Sequence, residues 1–353
     1  MPDAATAHGF NQDTFDAFLA GRHEPDWATD LRRQGWDAFR SLNLPDRSHE
    51  EWRRTDVRAL KLDKFGFALQ PTANELPPAL LNENVELGGR LACLDGFPQF
   101  EELNDEYAAK GVLFGSLERL ICDHEDRLKP LLTSPKLNLQ ADKFSALHSA
   151  AWTGGAALIV PQGLKLELPL HILSAMSPDG VDFSRLLVVL EDGAEATLLH
   201  ETASPHESAG LHCGSTEIVV GVGAKLRFVS LQNWGFGAWH FAHQKAFVES
   251  KGELQWTVGA LGARLAKVNQ HVALTGEEAK AQVNGVMFTE GKQHLAYHTL
   301  QAHEAYNCES DLLYKGALQD ESRLVWRGMI RVEPGADKTN GYQRNDNLML
   351  SSA

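Results

Sequence analysis

The chain has 353 residues, 43% hydrophobic and 23% charged, with 33 Lys and Arg against 47 Asp and Glu for a formal net charge of −14. Such a balance fits a globular chain of one to three domains and excludes collagen-like or wholly disordered polymers. The acidic excess argues against nucleic acid or an anionic membrane surface as the principal partner, because phosphate binding draws on basic patches. The longest apolar runs, such as Leu186 to Leu190, fall far short of the roughly 20 residues of a membrane-spanning helix.

Met1 to Ala5 carries neither a basic n-region nor an apolar h-region, so the expected location is cytoplasmic. The acidity is uneven: residues 1–130 hold 15 Lys and Arg against 24 Asp and Glu, leaving 18 against 23 for the rest. This front carries the helix signals. One helix is expected from Asn11 to Ala20, ending at Gly21. A second, with Pro25 in its first turn, is expected to bury Trp27, Leu31, Ala38, Phe39 and Leu42 and to stop before Pro45. Ser48, with Glu51 three residues on, reads as the cap of a short helix. Gln70 to Asn84, with Pro71, Pro77 and Pro78, reads as a linker. The apolar positions between 112 and 132 predict one further helix. Residues 1–135 thus form a helical region with a linker.

From about Ser145 the pattern changes to short alternating strands: Ala156 to Val160, Leu164 to Ile172, Leu186 to Leu190, Thr197 to His200, Ile218 to Val220 and Leu226 to Leu231. A Gly-led turn followed by a strand recurs at Gly193, Gly223, Gly252 and Gly276, at spacings of 30, 29 and 24 residues. That period belongs to a solenoid. With no helix pattern between the strands, a right-handed parallel β-helix over residues 136–353 is expected, ahead of a jelly roll.

Chemistry is harder to place. The four cysteines, Cys93, Cys122, Cys213 and Cys308, form no Cys-x-x-Cys pair and read as small buried hydrophobes. Eleven of the fifteen histidines follow residue 130. Of the cluster His294, His298 and His303, strand alternation puts the first two on one face and His303 on the other, so the three cannot ligate one ion without a bulge. Trp239-His240-Phe241-Ala242-His243 lacks cupin spacing. Phosphate-binding loops and nucleophile elbows are absent from the sequence, and Glu101-Glu102 and Glu277-Glu278 read as solvated charge in turns.

Three segments then stand in a telling order: Tyr314-Lys315-Gly316-Ala317-Leu318, Arg327-Gly328-Met329-Ile330-Arg331-Val332 and Lys338 to Ser351. They resemble the SufB/SufD family of iron–sulfur cluster assembly proteins. Ala146-Leu147-His148, Val160-Pro161-Gln162-Gly163 and Glu167-Leu168-Pro169-Leu170 extend the likeness over most of 145–353. At the front, Glu24-Pro25-Asp26-Trp27, Leu42 to Pro45 and Glu50 to Asp56 look like the SufD branch.

The resemblance implies a β-helix core and a non-catalytic scaffold that pairs with a SufB-like paralogue and a SufC-like ATPase. It implies no resident cofactor, with an iron–sulfur cluster present only transiently in the complex. The family's chain continues past the segment matching Tyr342 to Ser351 into a Cys/His-Gly motif and a helical end, so a fragment truncated after Ala353 is expected. His298, His303 and Cys308, close in sequence and able to ligate soft metals, are the candidates for handling sulfur or iron. The alternative is a carbohydrate-active β-helix enzyme of the polysaccharide lyase or hydrolase type, against which the lack of an export signal counts. A metal-dependent enzyme using the histidines is a third reading.

Overall fold

The computed structural model describes residues 6–71, 75–134 and 141–351. From Ala156 the chain winds through seven coils, each giving one strand to each of two parallel sheets. The first sheet stacks Leu170–Ala175, Glu195–Ala203, Lys225–Asn233, Glu253–Ala260, Lys280–Thr289, Glu309–Leu318 and Asn340–Met349. The second stacks Ala156–Val160, Arg185–Leu190, Ala209–Val220, Gly237–Val248, Leu265–Leu274, His294–His303 and Arg323–Val332. The protein is therefore mainly β, a parallel solenoid, as the periodicity predicts. Alternation explains the strands: in Lys225–Asn233, Leu226 and Phe228 are buried inside while Lys225 and Arg227 are exposed.

One backbone position repeats in every coil. Gly163, Gly193, Gly223, Lys251, Glu278, Asn307 and Lys338 all have φ between +55° and +71°. Each of the first six donates its N–H to a carbonyl of the next coil, from Asp192 for Gly163 to Asp337 for Asn307. This left-handed rung, costly for residues with a Cβ, lets the turns stack as tightly as the strands. The first-sheet registers step by 30, 28, 27, 29 and 31 residues. The expected spacings of 29 and 24 differ because Gly252 and Gly276 are not on this rung, where Lys251 and Glu278 stand instead.

The opening edge is covered. Gly89–Leu94 pairs parallel to Leu170–Ala175 and forms an antiparallel hairpin with Phe97–Leu103, while Leu113–Ser116 lies antiparallel to Ala156–Val160. All six α-helices among the described residues precede the coils. Gln12–Ala20 is capped by Asn11 in a capping box and ends at Gly21. Asp26–Ser41 buries Ala28, Arg32, Gly35, Trp36 and Phe39; of the expected stripe Phe39 is buried, while Trp27, Leu31, Ala38 and Leu42 are half-buried. At Gly35 a Cβ would lie 2.6 Å from the Ala150 nitrogen, so glycine permits the close crossing of Asp26–Ser41 over the Lys143–Ala151 helix.

Five further expectations are corrected. Residues 112–132 form a strand and two helices, Leu117–Asp123 and Glu125–Leu132, because Leu113 and Phe114 pair with the first coil. The strands of the coils begin at Ala156, not near Ser145, since Asp142 caps the buried helix Lys143–Ala151 there. Leu164 to Leu168 precedes the strand predicted over it, which runs Leu170–Ala175. Finally, Ser48 caps nothing: its hydroxyl and N–H both donate to Asp46, and the Glu50–Trp52 turn that follows has no side-chain cap. Glu101 also lies in a strand, paired with Arg119. An aromatic cluster that includes Phe15, Trp36, Trp52, Phe67, Phe144 and Phe241 joins the helical front to the outer face of the second sheet.

Candidate functional site

Inward side chains divide the solenoid interior lengthwise. At the corner of the left-handed rung, the second sheet contributes Leu190, Val220, Val248 and Leu274 on one rung and Val188, Ile218, Ala246 and Val272 on another. The first sheet faces them with Ala196, Leu226, Leu254 and Ala281. This column is apolar through five coils. In the sixth, His303 follows Leu274, Gln301 follows Val272 and Ser310 follows Ala281 on the same rungs. Cys308 likewise succeeds Ala279.

These four residues are buried. The His303 Nε2 lies 2.7 Å from the Ser310 hydroxyl, and Nδ1 meets the Thr339 hydroxyl. A neutral imidazole has one N–H, so it donates to one hydroxyl and accepts from the other. Burial holds His303 below the usual histidine range. The Cys308 thiol donates to the Gly276 carbonyl at 3.3 Å and is pushed up by burial, away from the reactive thiolate. Both polar ends of Gln301 lack partners among the described residues.

The opposite corner is polar from the start. His200, Thr202, Ser230 and Gln232 point inward from the first sheet, and His212, Thr216, His240, Gln244 and Gln270 from the second. The fully buried Asp182 accepts from His212 Nδ1 at 2.7 Å and from the Ser184 hydroxyl at 2.7 Å. The ring of His212 stands 4.7 Å from that of His240. Trp234 donates its indole N–H to His240 Nδ1 at 3.1 Å, which places the proton of the neutral His240 on Nε2.

Burial, then the charge of His212, holds His240 well below the usual range, and burial brings His200 down to about 4. A cavity of about 40 Å³ lies among these groups, enough for about two waters. The Asp182 Oδ2, Thr202 Oγ1, Gln232 Nε2, Gln244 Oε1 and Gln270 Nε2 are buried without partners among the described residues. Such a seam can hold water and relay protons through neutral imidazoles.

The expected site residues separate. His303 and Cys308 share the interior corner, whereas His298 lines an outer groove between the helical front and the second sheet, beside Arg327. Burial, followed by Lys267 and Arg327, brings His298 down to about 3. Among the described residues no three His, Cys, Asp or Glu side chains converge as metal ligands. The polar seam escaped the sequence reading, yet a signal exists: His212 and His240 stand one coil apart on a single rung.

The family model described as SUF system FeS cluster assembly, SufBD core domain, matches residues 172–353. Iron-sulfur cluster assembly SufBD family proteins of Staphylococcus haemolyticus, Staphylococcus saprophyticus and Staphylococcus aureus are each 24% identical over 349 residues, covering 94% of this chain and 74% of theirs. The family match begins in the first coil and takes in both interior corners, the polar seam and the altered sixth coil. The chain belongs to the SufBD family of iron–sulfur cluster assembly proteins.

Proposed function

We propose that this chain is a SufD-like, non-catalytic scaffold subunit that pairs with a SufB-like paralogue and a SufC-like ATPase in the cytoplasm. The observation that carries this reading is where the family match falls: residues 172–353 are the coils themselves, not the helical front. A rigid stack of parallel strands offers long, fixed side-chain ladders, which suits a platform better than a moving catalytic site. Front-end segments such as Glu24-Pro25-Asp26-Trp27 support the SufD branch. No helix among the described residues is long and apolar enough to cross a membrane.

Within this scaffold, His303 and Cys308 are the interior candidates for handling sulfur or iron, each replacing an apolar residue of earlier coils; His298 is the outer one. Co-expression of the chain with SufB-like and SufC-like partners tests the reading. One co-eluting complex is expected, and a chain that elutes alone while its partners bind each other would overturn it. Alanine at His298, His303 and Cys308 together should lower cluster assembly by that complex; unchanged assembly would end their role.

A further inference from the structure

We propose that residues 75–87 form a releasable strap: the buried carboxylate of Glu201 latches it over an apolar patch on the outer face of the first sheet, and its release bares that patch. This goes beyond the scaffold reading and does not depend on it. The segment, which the sequence marks as a linker, holds no helix or strand. It joins the sheet where the Gly88 N–H donates to the Pro169 carbonyl at 2.9 Å.

The patch follows from strand alternation. In Leu170–Ala175 the interior takes Leu170 and Ile172, so His171, Leu173 and Ala175 face outward, in register with Leu199, Glu201 and Ala203 of the next strand. Leu94, Leu173, Ala175 and Ala203 are buried together, and Leu76 and Ala79 of the strap pack against them. Pro77 and Pro78 favour an extended polyproline-type path. Its three-residue turn sets Leu76 and Ala79 on one side, toward the patch, while Glu75 and Pro78 stay exposed.

Polar anchorage to the sheet is confined to one group. Glu201, only 2% exposed, accepts from the Leu80 N–H at 2.8 Å and the Leu81 N–H at 3.3 Å, and its other oxygen meets His171 Nε2 at 2.7 Å. Burial works against its charge, yet the bonds from His171 and Leu80 hold the carboxylate below its usual range, so it accepts with full charge at neutral pH. Among the described residues the strap's one backbone–backbone hydrogen bond before Gly88 is internal, from Val85 to the Asn82 carbonyl at 3.4 Å. Leu80 and Val85 are largely exposed. A segment with few buried contacts and little backbone pairing opens locally, whereas Glu195–Ala203 beneath it is paired on both sides.

Amide hydrogen exchange on the full chain tests the strap. The Leu80 and Leu81 amides should exchange about a hundredfold faster than those of Glu195–Ala203, through an opening that leaves the coils protected. Glu201→Gln keeps the shape and one acceptor oxygen but removes the charge, and should speed Leu80 and Leu81 about tenfold while the amides of Lys225–Asn233 hold their rate. Ala79→Asp sets a charge against the apolar patch and should do the same. With both variants the neutral apolar dye Nile red should fluoresce more strongly than with the parent chain. Exchange of Leu80 and Leu81 at the rate of the strand beneath, or unmoved in both variants, overturns the proposal, and so does faster exchange with no gain in dye fluorescence. Should Glu201→Gln not fold, Ala79→Asp decides alone.

Discussion

Along one corner of the solenoid Leu190, Val220, Val248 and Leu274 stack on a single rung, and along the other His212 and His240 do so, in strands of the same sheet and the same register. Each large apolar side chain in the first column contributes about 1.5–3 kcal/mol through burial. Each unpartnered polar group in the second costs about 1–3 kcal/mol unless water reaches it. The stacking geometry is equal at both corners, so stability alone accounts for the first and not for the second. The sixth coil sharpens the point, because there His303, Gln301, Cys308 and Ser310 bring polarity into the apolar corner.

The largest effect should come from breaking the apolar side. Trp256 is fully buried between Phe228 and Val283 on its rung, and Trp256→Ala should cost about 3–5 kcal/mol in urea unfolding. A loss below about 1 kcal/mol would mean the interior repacks freely. The polar side should instead respond to acid. Burial brings His200 down to about 4 in the fold, whereas it protonates near 6.5 when unfolded. The unfolded chain therefore binds more protons between those values, and stability present above pH 6.5 is lost as pH falls toward 4. For His200 alone the loss approaches about 3 kcal/mol, so His200→Gln should shrink the acid-induced drop in unfolding midpoint; an equal drop in the variant contradicts the assignment.

Removing the anchor of the seam comes next. Asp182→Ala deprives His212 and Ser184 of their acceptor and should cost about 2 kcal/mol. The sixth coil calls for a cycle of variants. His303→Leu restores the residue type of the earlier coils but strands the Ser310 hydroxyl, while the Thr339 hydroxyl keeps its bond to the Cys308 carbonyl, for a loss of about 1 kcal/mol. Adding Ser310→Ala should recover part of it, giving a coupling that two independent sites would not show.

How far the sequence discloses this arrangement depends on which physical signal each residue carries. The coil period was legible because strand alternation and Gly193 and Gly223 mark it directly. It blurred where Lys251 and Glu278 take the left-handed rung, since neither residue type announces a positive φ. Leu113 and Phe114 read as helix because a short apolar run has no decisive period, and only pairing with Ala156–Val160 makes them a strand. Alternation did separate His298 from His303. It did not reveal the seam, because an inward histidine such as His212 has the same alternating neighbours as an outward one, and only register distinguishes them.

The smallest effect tests how the coils keep that register on the outside. On the first sheet Lys165, Glu195, Lys225, Glu253, Lys280 and Glu309 occupy one rung in alternating charge, with contacts of 2.6 Å for Lys165 to Glu195, 3.6 Å for Lys225 to Glu253 and 3.3 Å for Lys280 to Glu309. These side chains are largely solvent-exposed, so each pair is worth less than about 1 kcal/mol and is screened by salt. Glu253→Lys would line up three lysines on consecutive coils. It should lower the unfolding midpoint slightly at low ionic strength and not at all near 1 M salt, where the Debye length falls to about 3 Å. A loss that survives high salt would mean that Glu253 acts through packing, and the ladder would then be a consequence of the coil register and not one of its causes.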